Sequence, residues 1–421
     1  MKLNRITLFL LIAVFLTAAV GIAQLAKLAD PFATPSVRNA ATIVAKPDAL
    51  QLEAPVGFTV TLYADNLQAP RTMMYAPNGD LFVAQSRAGS VVILRDTNND
   101  GMPDARYTYA QGLTGVFGMA IHDGYLYLGR TDSIVRYKYK DGDTQAQGTP
   151  EKLVDFPTGG HSTRTIVFSR DGKKMYVAVG SMSNKSDGED PVRAAINEYN
   201  PDGTGHRIFA SGLRNPVALT LYPGTDAIWT SVNERDTLGD DLVPDYITSV
   251  KDGGFYGWPY SYIGSNYDPE HKGKRPDLVA RAIVPDVLIP AHSAAVGLTF
   301  YTGTQFPEHY RNGAFIGLHG SWNRSKLAGY RIAFVPFQNG KPAGPLEDFV
   351  TGWILNGGNP GTAWGRPVSP YVAKDGSLLI TDDVANKIWR VQYKSWNRTI
   401  PRSQIPKSEI SDWTLTCRVR W

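Results

Sequence analysis

The feature that most narrows the folds open to this chain is a repeat of roughly 45–50 residues. Each copy has a small or polar start, an apolar run, a Gly-containing turn and a second apolar run. The copies lie at 70–84, 117–128, 164–179, 216–230, 296–317 and 367–381. In the second copy, Phe117 to Ile121 and Tyr125 to Leu128 flank Asp123-Gly124; in the sixth, Pro367 to Val372 and Leu378 to Thr381 flank Asp375-Gly376. Asp-Gly or Asn-Gly between apolar runs signals a hairpin, because tight hairpin turns need positive φ at their centre. Six such copies predict an all-β, six-bladed β-propeller around a central channel. A two-sheet sandwich is the competing architecture, and sandwiches do not repeat this evenly.

The spacing breaks once, between the fourth and fifth copies. Residues 231–292, rich in Asp, Tyr, Gly and Pro, read as a long insertion, and long loops on a rigid scaffold are where function gathers. The early run Phe58 to Tyr63 is expected to pair with the last blade and close the ring, which removes open sheet edges.

The N-terminus reads as a targeting segment. Lys2 and Arg5 precede an apolar run from Ile6 to Ala23, with Gly21 and Ala23 as small residues for cleavage. An uncleaved anchor is the alternative, since that run is near the lower length limit for a membrane span. Residues 1–23 are therefore expected as a signal peptide or anchor, 24–50 as a linker, 51–395 as the propeller dehydrogenase domain and 396–421 as a C-terminal tail. A periplasmic or secreted location follows, with membrane attachment only if the N-terminal segment stays. The chain has one cysteine, Cys417, and no CxxCH, which rules out an intramolecular disulfide, covalent c-type haem and four-cysteine metal centres. The net charge of +4 is spread without a basic block, so nothing points to nucleic acid.

Three loops beside the starts of predicted inner strands carry chemistry. Gly159-Gly160-His161 frees an imidazole at a sharp bend, and histidine is the side chain whose ordinary pKa suits a general base near neutrality. Gly212-Leu213-Arg214-Asn215-Pro216 offers a planar cation and an amide on one turn. Asn233 to Asp241 crowds acidic and amide side chains, the oxygen-rich composition a hard cation such as Ca²⁺ uses. A lone structural histidine, an Asn-Pro turn and a solvated acidic loop are the respective plain alternatives. A fourth segment, Asp96 to Asp104, reads D-x-N-x-D-G-x-x-D, the front half of an EF-hand-like loop. Asp96, Asn98, Asp100 and Asp104 are its candidate ligands for a structural Ca²⁺, although Tyr107 stands where the closing glutamate belongs. An Asn/Asp-rich hairpin tip is the alternative there.

The loops in order, with GLRNP (212–216), VNERD (232–236), KDGGFYGWPYSY (251–262), RPDLVARAIVPD (275–286) and HGSWNR (319–324), resemble the soluble quinoprotein glucose and L-sorbosone dehydrogenases over about residues 50–395, with the sorbosone branch nearer. That resemblance implies pyrroloquinoline quinone (PQQ) and Ca²⁺ as cofactors. It implies His161 as general base, Arg214 as catalytic oxyanion stabiliser, and Arg214 with Asn215 as quinone contacts. It further implies Arg324, Lys326 and Arg366 as cationic cofactor contacts, and the backbone carbonyls of Arg235 and Asp236 as ligands of the catalytic Ca²⁺. The sequence departs from the glucose enzymes at Val217 and Gly160, where they carry glutamine and aspartate, and lacks their glutamine before Gly115. The implied reaction is oxidation of a sugar or sugar aldehyde, with electrons passed to an external quinone or cytochrome. A metal-dependent propeller hydrolase of the lactonase kind and a non-catalytic carbohydrate-binding propeller are the rival functions.

Overall fold

The computed structural model describes residues 27–394. The expected signal segment 1–23 and the tail with Cys417 lie outside the described residues. The protein is nearly all β: among the described residues the α-helix is a single turn, Pro276–Val279.

Six sheets of four or five strands account for the repeats. The first joins Pro70–Tyr75, Leu81–Gln85, Ser90–Arg95 and Ala105–Gln111, and the second Gly118–His122, Tyr125–Gly129, Ser133–Lys138 and Glu151–Asp155. The third holds Ile166–Phe168, Met175–Val179, Ala195–Tyr199 and Arg207–Ser211, with Gly254–Phe255 added in parallel. The fourth joins Pro216–Leu221, Ile228–Val232, Asp245–Ser249 and Val287–Ile289, and the fifth Ala295–Phe300, Ala314–Leu318, Arg331–Val335 and Glu347–Val350. The sixth joins Pro367–Val372, Leu378–Asp382 and Lys387–Tyr393, and its outer strand is Phe58–Ala64, brought back antiparallel from the start of the body. The first strands of successive sheets touch one another in order, and the sixth touches the first, so the sheets form a closed ring.

Local chemistry explains these elements. Asp123 and Gly124 have φ of 46° and 74°, the doubly positive turn that an Asp-Gly pair supplies. Second strands such as Leu81–Gln85 and Ala314–Leu318 are buried along their whole length because neighbouring sheets cover both faces. Outer strands such as Ala105–Gln111 have only one covered face and alternate instead. Near the axis the strands crowd: a Cβ on Gly317 would lie 1.8 Å from the Val368 carbonyl oxygen, so a side chain there would force the two sheets apart.

Two expectations about the connecting segments need correction. The stretch 231–292 is not one insertion, since it supplies the outer strands Asp245–Ser249 and Val287–Ile289 of the fourth sheet. The polar sequence of the former hid it: Asp245 is 2 % exposed and accepts the backbone N–H groups of Glu234 and Ala294. The true excursion is 250–286. Residues 27–50, expected as a linker, are laid against the body. Phe32 N donates to Leu238 O, Thr34 Oγ1 accepts Asp240 N–H, Asn39 N donates to Trp322 O, and Thr42–Ile43 pairs with Thr362–Ala363.

Alternating strand direction sorts the loops onto two rims. The starts of the first strands and the loops between second and third strands share one rim. Hairpins between first and second strands, and the 96–104 loop, share the other. A channel cavity of about 260 Å³ runs between them, lined by the first strands of all six sheets, including Thr72, Thr165, Leu219 and Thr299. Phe117, Val217, Val296 and Val368 pack together toward the first rim and form an apolar floor beneath it.

Candidate functional site

His161, Arg214, Asn215, Arg235, Asp236, Arg324, Lys326 and Arg366 all belong to loops of the first rim. His161 sits at the turn before Ile166–Phe168. Its backbone N–H donates to Ser181 O at 3.0 Å, and its Nδ1 lies 2.9 Å from the same oxygen and 3.1 Å from Ser181 Oγ. A carbonyl oxygen only accepts, and Ser181 Oγ gives its own proton to Ser183 O at 2.6 Å. Both partners therefore require the proton on Nδ1, which leaves the Nε2 lone pair free. Burial pushes the His161 pKa down to about 4, and the nearby Arg214 cation acts in the same direction. The imidazole is thus a neutral base at physiological pH.

Beside it, a Cβ on Gly180 would meet Asn215 Oδ1 at 2.3 Å and His161 Cβ at 2.6 Å, so only glycine fits between the base and the amide. Asn215 Nδ2 reaches Asn233 Oδ1 at 3.4 Å, while its Oδ1 is buried with no partner among the described residues.

Arg214 differs from its expected role. Nε donates to Asn184 O at 3.1 Å, Nη1 to Asn233 O at 3.2 Å and Glu234 O at 2.7 Å, and Nη2 to Asn184 Oδ1 at 3.0 Å and Asp236 Oδ2 at 3.1 Å. All five donors of the guanidinium are engaged by the protein. Arg214 therefore fixes the loop 233–236 and the segment around Asn184, and has no N–H left for an oxyanion or a quinone oxygen.

The same loop decides the expected calcium site. Asp236 O already accepts Asn184 Nδ2 at 3.1 Å, Arg235 Nε at 3.1 Å and the Thr237 hydroxyl at 2.5 Å. Three donors fill the two lone pairs of the Asp236 carbonyl, so of the expected Arg235–Asp236 pair the Asp236 oxygen is already engaged by the protein. The Arg214 guanidinium, from the neighbouring 212–216 turn, is the positive charge held against this loop. The side chain of Arg235 is buried and turned away, ion-paired to Asp268 and, at 3.3 Å, to Glu270 of the 250–286 excursion.

Partners that sequence reading did not single out complete this side. Asp236 Oδ1 accepts Asn323 Nδ2 at 2.6 Å and lies 3.5 Å from His292 Nδ1, while His292 Nε2 is 2.8 Å from Gly239 O. Burial works to raise the Asp236 pKa, but His292 and Arg214 hold it below the usual carboxylate range. Glu234 is wholly buried, and burial pushes its pKa up to about 7 against the pull of Arg214. Burial raises Asp245 in the same way. No local motif marks His292, and Asn323 lies in HGSWNR (319–324) without a role of its own there; each meets Asp236 only through the fold.

Across the rim, Arg366 Nε donates to His319 O at 3.0 Å and Nη2 to Gly320 O at 2.7 Å, and its guanidinium lies 5.4 Å from the Tyr330 ring centroid. His319 Nε2 is 2.9 Å from Asp383 Oδ1, and Arg71 Nη1 donates to Asp383 Oδ2 at 2.6 Å. Burial pushes His319 down to about 4 although Asp383 opposes it. A rim cavity of about 310 Å³ is lined by Arg71, Arg87, Phe117, Ser162, Thr163 and Asp383, which brings this cluster next to the His161 loop. Arg324 is engaged elsewhere, donating to Asp240 O at 3.0 Å and Asp241 Oδ1 at 2.6 Å. Lys326 is exposed on the same loop.

The 96–104 loop lies on the opposite rim and closes on itself. Asp96 accepts the N–H groups of Asp100 and Gly101, Asp100 accepts that of Met102, Asn98 Oδ1 accepts Asp100 N–H, and Asp104 accepts both N–H and hydroxyl of Thr97. Among the described residues no group of three or more His, Cys, Asp or Glu side chains is placed to hold a metal ion. The geometry is that of an Asx-stabilised hairpin tip, in place of the expected structural Ca²⁺ site.

The donor set of the first rim does fit an anionic quinone. Arg71 uses only Nη1, and Arg366 only Nε and Nη2, among the side-chain hydrogen bonds of the described residues, so both keep N–H groups for carboxylates. Beside His161 the Asn215 Oδ1 remains a buried polar atom without a partner among the described residues.

Comparison with known proteins gives a family match and several similar proteins. The model of the TrAA12-like family matches residues 52–245 and 263–394. An uncharacterized protein of Borreliella burgdorferi is 30% identical over 372 residues, covering 84% of this chain and 94% of that protein. An aldose sugar dehydrogenase of Escherichia coli is 24% identical over 310 residues, covering 63% of this chain and 78% of that one. The fold matches the holo PQQ domain of pyranose dehydrogenase from Coprinopsis cinerea with a TM-score of 0.70 at 20% identity, covering 84% of this chain and 100% of that domain. None of these names distinguishes a sorbosone branch.

Proposed function

The chain belongs to the TrAA12-like family, and from that membership we propose that it is a six-bladed propeller that oxidises a sugar or sugar aldehyde with PQQ. Membership, the aldose and pyranose dehydrogenases among the similar proteins and the six sheets in a closed ring support the reading. The sorbosone-like preference rests on the motifs of residues 232–262, the departures at Val217 and Gly160 and the glutamine missing before Gly115. The apolar run after Lys2 and Arg5 supports export.

The observation that carries the chemistry is the state of His161: neutral, with the proton fixed on Nδ1 and the Nε2 lone pair free. Nε2 takes the proton of the sugar's anomeric hydroxyl, or of an aldehyde hydrate, as the C–H bond is broken. PQQ, when bound, supplies the two-electron acceptor for the hydride. Arg71 and Arg366 would hold its carboxylates, and Asn215 would face its polar edge. Arg214 would not touch the reacting atoms; it holds the loop 233–236 and adds its charge to the burial that keeps the imidazole neutral. The apolar floor of Phe117, Val217, Val296 and Val368 keeps channel water from entering below. Oxidation returns two electrons to an external acceptor, since the chain carries no CxxCH haem site.

Reconstitution tests this reading. Purified protein incubated with PQQ should show a shifted quinone absorbance and then reduce a redox dye with aldoses. No spectral change on adding PQQ overturns it.

A further inference from the structure

Two arginines directly behind His161 are buried without an acidic partner. Arg164 is 0 % exposed and Arg193 4 %. Arg164 Nη1 donates to His161 O at 2.9 Å and Thr163 O at 2.7 Å, while its Nε and Nη2 have no partner among the described residues. Arg193 Nη1 donates to Gly180 O at 3.2 Å, and Nη2 to Thr158 O at 3.2 Å and to Pro157 O, while its Nε has no partner.

The two side chains reach the same segment of chain: the Arg164 guanidinium lies 5.3 Å from the ring centroid of Phe156, and Arg193 Nη2 donates to Pro157 O and Thr158 O. Burial lowers the Arg164 pKa to about 10, and the Arg193 charge is the next influence in the same direction. Burial also lowers Arg193. The nearest acids are engaged elsewhere. Asp132 accepts Arg130 and the Ser133 hydroxyl, Glu189 accepts the N–H groups of Met182 and Ser183 together with the Ser183 hydroxyl, and Asp190 accepts Val192 N–H. Buried cations are ordinarily paired, and buried donors are ordinarily satisfied. Here two buried like charges, neither in hydrogen-bond contact with a carboxylate, leave three nitrogens with four N–H groups unpartnered among the described residues.

We propose that Arg164 and Arg193 form an internal binding site for a small monovalent inorganic anion of the chloride class. Water would satisfy the free N–H groups but leave two buried cations without a hydrogen-bonded counter-charge; an anion answers both. Complete burial of Arg164 restricts the ligand to a single small ion. The site stands behind the base. Arg164 holds the His161 carbonyl, and Arg193 holds the carbonyl of Gly180, the residue before the Ser181 that orients the imidazole. An anion between them would tie together the two chain segments that aim His161.

The test needs neither quinone nor sugar, so it is separate from the fate of the proposed activity. Thermal unfolding of the full chain is followed at fixed ionic strength while gluconate is exchanged for chloride or bromide. A saturable rise of the midpoint with halide, absent in a folded Arg193→Met variant, is expected; equal midpoints in both salts overturn the proposal. Should the variant fail to fold, crystals of the unaltered chain grown in bromide decide. An anomalous peak within hydrogen-bonding distance of Arg164 Nη2 and Arg193 Nε supports the site, and water alone there overturns it.

Discussion

His161 Nδ1 lies 2.9 Å from the carbonyl oxygen of Ser181, the same oxygen that accepts the His161 backbone N–H at 3.0 Å. One atom thus fixes both the position and the tautomer of the imidazole. His161→Ala should reduce turnover by roughly 10²–10⁴-fold, the usual worth of a positioned base, while PQQ still binds by absorbance titration. Full activity in the reconstituted variant would remove His161 from the mechanism.

The depressed pKa of that ring has a consequence for rate. An ordinary imidazole, near 6.5, loses its base form as pH falls toward 5, whereas His161 is protonated only near 4. The acid limb of the pH–rate profile assigned to this base should therefore lie well below 6. A limb near 6.5 would show that the base is not held neutral by burial.

Stability should respond to pH in two opposed ways. His161 and His319 fold with pKa values of about 4. The unfolded chain thus binds more protons between 4 and 6.5, and these two residues erode stability as pH falls through that window. Glu234 folds with a pKa of about 7 against an ordinary 4.5, so it erodes stability as pH rises through 4.5 to 7. Glu234→Gln removes only the second effect. Its stability relative to the unaltered chain should improve between about pH 5 and about pH 8, by on the order of a few kcal/mol. Denaturant titrations at the two pH values measure this, and a pH-independent difference would contradict it.

Arg214→Ala should behave as a structural lesion. It leaves the Asp236 carboxylate without its cation and strips donors from the carbonyls of Asn184, Asn233 and Glu234. The expected loss is about 3–5 kcal/mol in chemical unfolding, the range for breaking a buried charge pair. An oxyanion-stabilising arginine would instead cost turnover and leave stability alone.

Calcium added without quinone should leave the melting temperature unchanged, because the Asp236 carbonyl is saturated and the 96–104 carboxylates are used by their own loop. A calcium-dependent rise in differential scanning fluorimetry, abolished by EGTA, would mean that one of these sites rearranges to take the ion.

Much of the architecture was legible in the sequence. Hairpin turns such as Asp123-Gly124 and the recurring apolar pairs are local signals, and a repeated hairpin that cannot bury both faces alone must stack on its neighbours. The closing strand Phe58–Ala64 was legible for the same reason, as an unpaired apolar run. The His161 loop, with its paired glycines, also announced itself. What the fourth sheet does with Asp245–Ser249 was hidden, because a polar residue buried against two backbone N–H groups looks like loop.

Side-chain roles were decided only by the tertiary structure. Arg214 reads as a free cation in its own turn, and it takes the fold to bring Asn184, Asn233, Glu234 and Asp236 onto its five donors. Asp383 meets Arg71 and His319 from distant parts of the chain, and Arg164 and Arg193 are both brought to the segment at Phe156, Pro157 and Thr158. Backbone preference is set by neighbours along the chain, so the sequence alone determined the repeating β architecture and the presence of a histidine loop. Whether a charged group is free, paired or stranded depends on neighbours in space, and those only the closed ring supplies.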